Sequence, residues 1–357
     1  MPEATIIGAG PAGSAAAFLL ARAGWHVTLL EQHRFPRDKV CGECLSTLGM
    51  DVLARLGLRD ELLGKGAVEL THVAIHSLSG RSVRFALPRP MWGISRRVLD
   101  SALLDAARKA GSIVRQPVRC ESIGPGPILR VRDLVSNAME VLQPDHLIVA
   151  DGKGSLQQSP PPPTGDFGIK AHFEAVNGPR DTIELFGCRG FYGGLAAIEG
   201  NRWNVAWSVP ARPLRDAGGD VAAVFDQIIE SHPVLRHRVA GARQVGEWLA
   251  SRLPRFAVRD DWPAGVIPVG NAAAAVEPIG GEGMGLALRS AEMAADSVCA
   301  AKHTCLCTAY RTLWNTRSAG CRAAALVVSR PRVARLVVPA IDISKPGRAA
   351  ALWAMGK

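Results

Sequence analysis

The stretch TIIGAGPAGSAAAFLLARAGWHVTLLEQ, Thr5 to Gln32, decides the fold. An apolar run ends at Ile7, glycines follow at positions 8, 10 and 13, and an Ala- and Leu-rich segment leads to a second apolar run that ends at Glu31. Glycines with this spacing permit a tight turn, close approach of the backbone to a pyrophosphate, and close packing of the helix on the sheet. The stretch therefore predicts a strand–helix–strand unit that binds a dinucleotide.

The nucleotide is expected to contact the turn and the end of the second strand. The start of the helix leaves backbone amides that can bind an anion. Glu31 lies about twenty residues past the glycines, where a carboxylate accepts hydrogen bonds from ribose hydroxyls. The predicted contacts in this unit are Gly8, Gly10, Pro11, Ala12, Gly13, Glu31 and Gln32.

The composition is that of a globular protein without a membrane span. Of the 357 residues, 48% are hydrophobic and 21% are charged, and no window approaches the apolar length that crosses a bilayer. Because the first predicted strand begins at Ala4, we expect no secretion signal and a cytoplasmic protein. The eight cysteines are scattered along the chain and predict reduced thiols.

Two cysteine groupings are candidates for redox or metal chemistry. Cys41 and Cys44 form a C-x-x-C, which we interpret as part of a loop near a ligand rather than as a redox pair, because no thioredoxin-like strand precedes it. His303, Cys305 and Cys307 lie close together in a helix-like region, but a tetrahedral zinc site needs a fourth ligand and a loop. We therefore predict no metal site.

The net charge of +10 suits an anionic partner such as a nucleotide, an acyl-carrier protein or a membrane surface. The basic residues do not form one block, and we expect no nucleic acid to bind. The segment Ser329–Pro339 is the nearest to a basic amphipathic stretch. It is either a solvated face or a surface that contacts lipid or covers a substrate entrance.

Two later segments are expected to join the nucleotide-binding unit. An apolar strand from His146 to Ala150 ends in Asp151 and Gly152, where a sharp turn is expected. A second strand, Val266 to Val269, is followed by a glycine-rich turn at residues 280–285 and a helix that passes Met293.

The region between these segments predicts an inserted antiparallel sheet. Residues 168–209 alternate apolar and polar side chains, and Glu199–Arg202 is predicted to form a hairpin turn. Residues 72–93 have the same strand–turn–strand pattern and are expected to join that sheet. The proline run in Ser159–Gly165 predicts a stiff connector between domains.

Four motifs in order resemble the FAD-dependent oxidoreductases with the p-hydroxybenzoate hydroxylase fold. They are the glycine motif with Glu31, GISRRVLDSALL from Gly93, ADGKGS from Ala150, and VGNAAAAVEPIGGEGMGLALRSAE from Val269. Within that superfamily, FPRDKVCGECLS from Phe35 is most similar to the geranylgeranyl reductase-related branch. The resemblance extends from about residue 4 to 330 and implies an α/β fold: a Rossmann-like FAD-binding domain with an inserted, mainly antiparallel substrate sheet and C-terminal helices.

The expected domains follow from these assignments. The FAD-binding domain comprises residues 1–71, 94–158 and 256–335, and the substrate domain comprises residues 72–93 and 166–255. A helical segment, residues 336–357, is expected to end the chain.

The resemblance also implies site residues. Arg96 would contact the FAD diphosphate or ribityl region, Asp151 and Gly152 would lie near both nucleotides, and the segment around Gly270 would bind the ribityl chain. Residues 278–283 would lie beneath the isoalloxazine ring, with Cys41 and Gly42 near its face. The contacts assigned to these later segments and their neighbours are Arg37, Cys41, Gly42, Arg96, Asp151, Gly152, Gly270, Asn271, Pro278, Gly280, Gly281, Gly283 and Met284.

Asn271 departs from the family pattern, which has aspartate after the glycine. Asparagine keeps one carbonyl acceptor for a ribityl hydroxyl but loses the charge. The change in FAD affinity is on the order of 1 kcal/mol. Its sign is open, because a neutral group also repels the nearby pyrophosphate less.

The substrate is expected between the flavin ring and the inserted sheet. Lys170 and His172 are two residues apart and share one strand face, and His172 could act as a proton donor or base. Tyr192, Trp203 and Trp207 are further candidates to face the substrate, although aromatic residues more often form the core. The proposed catalytic residues are His172, Lys170 and Tyr192.

Three functions remain open from the sequence. The first is an FAD-dependent monooxygenase that uses NAD(P)H and O2 on an aromatic or other hydrophobic substrate in specialised biosynthesis. The second is a reductase of prenyl or other alkene substrates, and the third is a flavoprotein that oxidises a peptidyl tryptophan of a partner protein. No second dinucleotide motif is present, so NAD(P)H either binds transiently or is replaced by an electron-donating protein.

Overall fold

The computed structural model describes residues 1–152, 156, 165–300, 306–343, 347 and 349. The strands in chain order are β1 (Glu3–Ile7), β2 (His26–Leu30), β3 (Cys44–Leu45), β4 (Val68–His76), β5 (Ser82–Gly93), β6 (Ile113–Arg115), β7 (Val118–Ile123), β8 (Leu129–Asp133), β9 (Met139–Leu142), β10 (His146–Val149), β11 (Asp166–Glu174), β12 (Thr182–Gly187), β13 (Tyr192–Ala197), β14 (Trp203–Pro210), β15 (Arg243–Arg252) and β16 (Val266–Pro268). The helices are α1 (Pro11–Arg22), α2 (Thr47–Arg55), α3 (Arg59–Gly64), α4 (Arg96–Lys109), α5 (Ala211–Asp216), α6 (Val221–Ser231), α7 (Pro233–Val239), α8 (Gly283–Cys299), α9 (Leu306–Val328) and α10 (Pro331–Ile343).

A five-stranded parallel sheet forms the nucleotide-binding part, with strand order β16–β10–β1–β2–β6. Helices α1, α4 and α8 share a core with its inner strands, in which small residues such as Ala15 and Ala16 are fully buried. The carboxyl ends of β1, β10 and β16 lead into Gly8, Ala150 and Gly270. Ligands of open α/β sheets bind outside these strand ends, so the topology brings the three predicted turns to one edge.

The second sheet has eight strands in the order β15–β11–β14–β13–β12–β4–β5–β3. Its pairings are antiparallel except for β12 with β4, which run parallel. The predicted hairpin joins β13 to β14, and its turn residues Gly200 and Asn201 both have positive φ, as a type I′ turn requires. Residue 72, a predicted domain boundary, lies inside β4, and β3 also joins this sheet, so the division into domains stays a prediction.

The large sheet is covered on one face by the C-terminal helices. Ala325 and Val328 of α9 pack in a cluster with Ile183 and Tyr192 of the sheet. A Cβ added at Gly187 would lie 2.1 Å from the carbonyl oxygen of Val328, so α9 approaches β12 at backbone distance. Sequence reasoning did not single out the smaller antiparallel sheet, β7–β8–β9.

Some predicted features lie wholly or partly outside the described residues. They are the connector at residues 159–164, the His303 and Cys305 pair, and most of the chain after Ile343. In the described part of the chain, no helix combines the length and the apolar character needed to span a bilayer.

Candidate active site

The glycine turn at the end of β1 has the geometry that the sequence predicts. Gly8 has φ +96°, and a Cβ there would lie 2.5 Å from the carbonyl oxygen of Ala150. A Cβ at Gly13 would lie 1.8 Å from the carbonyl oxygen of Gly8, because α1 packs directly on the turn. At Gly10 the nearest atoms within 4 Å are only the guanidinium ends of Arg96 and Arg37. Gly8 and Gly13 therefore allow close packing, whereas Gly10 faces a groove.

One end of this groove suits a ribose and its base. Glu31 is buried, and its two carboxylate oxygens accept hydrogen bonds from the backbone amides of Ala9 (2.8 Å) and His33 (2.8 Å). These bonds orient the carboxylate and leave it further lone pairs. The predicted residues that line this end are Gly8, Gly10, Glu31, Gln32, Arg37 and Asp151.

Two arginines surround the turn. Arg96 binds Asp100 through two hydrogen bonds of 2.7 Å, and Arg37 Nη1 lies 3.3 Å from the same carboxylate. Burial lowers the pKa of Arg37, although Asp100 and Glu31 oppose the shift. The Nε of Arg37 is buried and has no hydrogen-bond partner among the described residues. The spare donor of Arg37 and the free amides at the start of α1 offer hydrogen bonds to a pyrophosphate, so the site fits a dinucleotide.

The middle of the site is a cavity that is lined by segments far apart in the sequence. It adjoins the first groove at Gly10 and Ala150. The predicted residues that line it are Gly10, Pro11, Ala12, Cys41, Gly42, Arg96, Gly152, Gly270, Asn271, Pro278, Gly281, Gly283 and Met284. Of the predicted cofactor residues, Gly13 packs behind the turn and Gly280 lines the neighbouring apolar cavity.

The second glycine turn precedes α8. Gly281 has φ +66°, and a Cβ there would lie 3.1 Å from the carbonyl oxygen of Cys44, so the turn packs closely on β3. Gly283 has no atom within 4 Å of such a Cβ and opens onto the cavity. Glu282 is buried and makes an ion pair with Arg317 (3.2 Å) rather than capping the helix. The free amides at the start of α8 therefore present a positive end to the cavity.

An apolar cavity of about 150 Å³ lies beside this turn. Its walls come from the Val40–Gly42 loop, the Pro278–Gly281 turn and strands β4 and β11–β14. Of the three aromatic candidates to face the substrate, Tyr192 and Trp207 line this cavity, whereas Trp203 packs in the core of the large sheet. The volume is comparable to cavities that hold one aromatic ring.

Tyr192 carries a polar group at the edge of this cavity. Its hydroxyl donates a hydrogen bond of 2.5 Å to Glu277, a residue that sequence reasoning missed. Burial raises the pKa of Tyr192 well above its usual value, and burial also raises the pKa of Glu277, partly offset by the bond from Tyr192. The available signal was an acidic residue directly before the Pro278 turn, which places a carboxylate next to the predicted flavin ring.

Lys170 and His172 make a closed ionic cluster with Glu43, also missed from the sequence. Lys170 Nζ lies 2.5 Å from Glu43 Oε1, and His172 Nε2 lies 2.7 Å from Glu43 Oε2. All three side chains are buried, and neither Lys170 nor His172 is among the residues that line the apolar cavity. Their catalytic role stays a prediction that this arrangement does not favour.

The cluster holds the loop that borders the middle cavity. Glu43 has φ +54°, and its side chain also accepts a hydrogen bond from the backbone amide of Arg96 (2.9 Å). Burial alone raises the pKa of Glu43, but the hydrogen bond from His172 and the charge of Lys170 outweigh it and lower the pKa. Glu43 is therefore ionised and bound from several sides.

The same loop carries a candidate metal site and the two cysteines of the C-x-x-C. Ligand atoms of Asp38, Glu43 and His172 lie within 4.8 Å of one another, but the Lys170 ammonium already neutralises Glu43. The absence of a metal stays a prediction. Cys41 and Cys44 form no disulfide with each other, and Cys41 lines both cavities, which is consistent with a loop near a ligand.

Comparison with known proteins gives a family match and several relatives. A family model described as "FAD binding domain" matches residues 2–301. A menaquinone reductase of Mycolicibacterium smegmatis is 27% identical in an alignment covering 94% of this chain and 87% of that protein. A kynurenine 3-monooxygenase of Stenotrophomonas maltophilia is 33% identical over 42% of this chain and 35% of that protein. Conditioned medium factor receptor 1 of Dictyostelium discoideum is 25% identical over 82% of this chain, which spans 62% of that protein's length.

Solved structures share the fold. A flavoprotein/dehydrogenase from Cytophaga hutchinsonii has a TM-score of 0.82 at 17% identity, with 99% of this chain and 92% of that chain covered. The flavin-dependent brominase Bmp2 has a TM-score of 0.79 at 18% identity, with 99% and 93% covered. The predicted fold class, a Rossmann-like domain with an antiparallel sheet and C-terminal helices, is confirmed.

Proposed function

Because this chain belongs to the FAD binding domain family and is an FAD-dependent oxidoreductase, we propose that it is a monooxygenase. It uses NAD(P)H and O2 to hydroxylate an aromatic or other hydrophobic substrate. The observation that supports this proposal is the apolar cavity beside the Pro278–Gly281 turn, which is bordered by Tyr192 and Trp207. When bound, FAD supplies the electron transfer. The chain's own residues bind the cofactor, orient the substrate and exclude water from the site.

The residues divide this work between them. Arg37, Arg96 and the amides of α1 bind the pyrophosphate, and Glu31 binds the ribose. The amides at the start of α8 stabilise negative charge near the ring. The apolar walls keep water from the reacting atoms. No charged side chain lines the apolar cavity, so an uncharged ring or chain is the substrate class that it accepts.

Tyr192 and Glu277 would hold the proton that the reaction exchanges. The Tyr192 hydroxyl sits between the cavity and Glu277, and Glu277 is only partly buried, so it can exchange protons with water. A carboxyl group whose pKa is raised toward the working pH is suited to proton transfer.

A reductase of prenyl or alkene substrates is the second candidate. The menaquinone reductase aligns over most of both chains, whereas the kynurenine 3-monooxygenase aligns over less than half of either. An apolar cavity suits a prenyl group as well as a ring. Oxidation of a peptidyl tryptophan is less well supported, because it needs a wide pocket and this cavity has a volume of only about 150 Å³.

Product analysis separates the two candidates. The holoenzyme is incubated with NADPH and an uncharged phenol or quinol, and separately with a prenylated quinone, with and without O2. A monooxygenase consumes O2 and gives a product one oxygen atom heavier. A product that stays two hydrogens heavier after its quinol has been reoxidised to the quinone, formed equally without O2, carries the two hydrogens on the prenyl chain and would establish the reductase instead. NADPH consumption without either product would contradict both candidates.

Glu277→Gln is expected to reduce product formation about a hundredfold. The glutamine keeps an acceptor for Tyr192 but cannot exchange the proton. The pH–rate profile of the native enzyme should show a limb above the usual carboxyl range, because burial raises the pKa of Glu277, and this limb should be absent from the variant. Steady-state product formation between pH 5 and 9 measures both effects.

Two further variants test the proton transfer through Tyr192 and Glu277. Tyr192→Phe should match Glu277→Gln in product formation, while both variants keep native rates of FAD reduction by NADPH. Glu247→Gln, on the exposed surface of β15, is the control and should retain the native profile. Unchanged product formation in both Tyr192→Phe and Glu277→Gln would remove the pair from the mechanism.

A further inference from the structure

A groove between the β12–β13 connection and the start of α10 is strongly basic. We name it the basic groove; Arg189, Arg332 and Arg335 line it together with Phe191 and Leu78, and no lining residue is acidic. The three arginines are exposed. Their guanidinium groups make no ion pair or hydrogen bond within the part of the chain that the structure describes. Three unpaired cations at one place attract a partner with several negative charges.

The outer face of α10 adds an exposed apolar group to these charges. Arg332, Arg335 and Leu336 lie at spacings of three and four residues and therefore share one helix face. Leu336 is 76% exposed. The opposite face is anchored, because Ala334 is buried in the cluster that contains Tyr192, and Val337 packs against that cluster. The helix therefore presents arginines and a leucine outward from a fixed position.

We propose that the basic groove and the outer face of α10 dock this protein on an anionic lipid bilayer. Arg189, Arg332 and Arg335 contact lipid phosphates, and Leu336 enters the boundary between headgroups and acyl chains. A soluble anion would engage the arginines but would leave Leu336 in water. A bilayer satisfies both features at once, and the net charge of +10 favours approach to an anionic surface.

Docking at this face would bring the apolar cavity close to the membrane. Phe191 lines the basic groove, while its neighbour Tyr192 lines the cavity. The docking itself does not depend on the proposed reaction, because it rests only on surface charge and exposed apolar area.

Vesicle co-sedimentation of the FAD-loaded protein tests the proposal. Native protein should sediment with phosphatidylcholine vesicles containing 30% phosphatidylglycerol and stay in the supernatant with phosphatidylcholine alone. The double variant Arg332→Glu/Arg335→Glu should lower the partition coefficient at least about tenfold, since each basic residue near an anionic surface contributes about a fivefold factor. Leu336→Asp should lower it as well, and in the native protein 0.5 M NaCl should weaken binding.

The matched control is Arg59→Glu/Arg130→Glu, which makes the same change of charge on α3 and β8. Equal loss of binding in this control would show that the effect depends only on net charge and would overturn the proposal. Failure of the native protein to sediment with anionic vesicles at low salt would also overturn it. Binding to an acidic carrier protein without binding to vesicles would identify a protein partner and also overturn it. NADPH oxidation is measured in the same variants, so failure to dock is distinguished from failure of the proposed reaction.

Discussion

Gly13→Ala is expected to abolish FAD binding and to lower the free energy of unfolding by about 3 kcal/mol. The added Cβ would lie 1.8 Å from the carbonyl oxygen of Gly8, and both partners are backbone, so α1 must move away from the turn. Moving α1 displaces the amides that bind the pyrophosphate. Urea unfolding of the apoprotein and the flavin absorbance of the purified protein measure the two effects.

Two variants separate packing from binding. Gly64→Ala, at the end of α3, has no atom within 4 Å of the added Cβ and should keep native stability and colour. Gly10→Leu should keep most of the stability, because its Cβ has room, but should lose FAD because the longer side chain fills the groove. A Gly13→Ala protein that purifies yellow with native stability would contradict the placement of the pyrophosphate.

Lys170→Met is expected to lower the free energy of unfolding by about 3–5 kcal/mol. It removes the cation that binds Glu43 and leaves the carboxylate buried with His172 as its remaining ionisable partner. The double variant Lys170→Met/Glu43→Gln removes the charge as well and should recover most of the loss. Urea unfolding of the native protein, both single variants and the double variant gives the coupling energy.

The control for this cycle is the exposed Arg212–Asp216 pair on α5. Arg212→Ala should change stability by less than about 1 kcal/mol, because exposed ion pairs contribute little. Equal stability of the Lys170→Met protein and the native protein would show that the buried cluster does not hold the loop.

The same cluster predicts a pH dependence. Because the folded protein lowers the pKa of Glu43, the stabilisation from its ionised form is complete above the ordinary value of 4.5 and is lost as the pH falls below it. The free energy of unfolding should therefore fall more steeply below pH 4.5 in the native protein than in Glu43→Gln. Parallel slopes in acid would contradict the lowered pKa.

The sequence predicted the geometry of the glycine turns better than the surroundings of Lys170 and His172. The geometry of the glycine turns is determined by residues close in sequence, because Gly8 and Gly281 need positive φ and Gly13 needs close packing. The period of a strand correctly put Lys170 and His172 on one face. The strand period did not reveal that Lys170 and His172 are bound by Glu43, because Glu43 is 127 residues from Lys170 in sequence.

Glu43 and Glu277 were missed for physical reasons. Glu43 adopts the left-handed region, where glycine and asparagine are the usual residues, and only its buried contacts explain that conformation. Glu277 accepts its hydrogen bond from Tyr192, which is 85 residues away and on another element. Interpretation of local patterns does not reveal pairs of this kind.

The parallel pairing of β4 with β12 has a consequence for synthesis on the ribosome. Thr182 pairs with His72, and the five-stranded parallel sheet is incomplete without β16 at Val266–Pro268. The eight-stranded sheet is complete only after β15, which ends at Arg252, has been translated, and the five-stranded sheet only after β16, which ends at Pro268. The nascent chain therefore carries unpaired apolar strand edges until these residues have been added. Such long-range closure slows folding and exposes the chain to aggregation. Expression at lowered temperature or with added chaperone should therefore raise the yield of native protein more than a change of purification conditions.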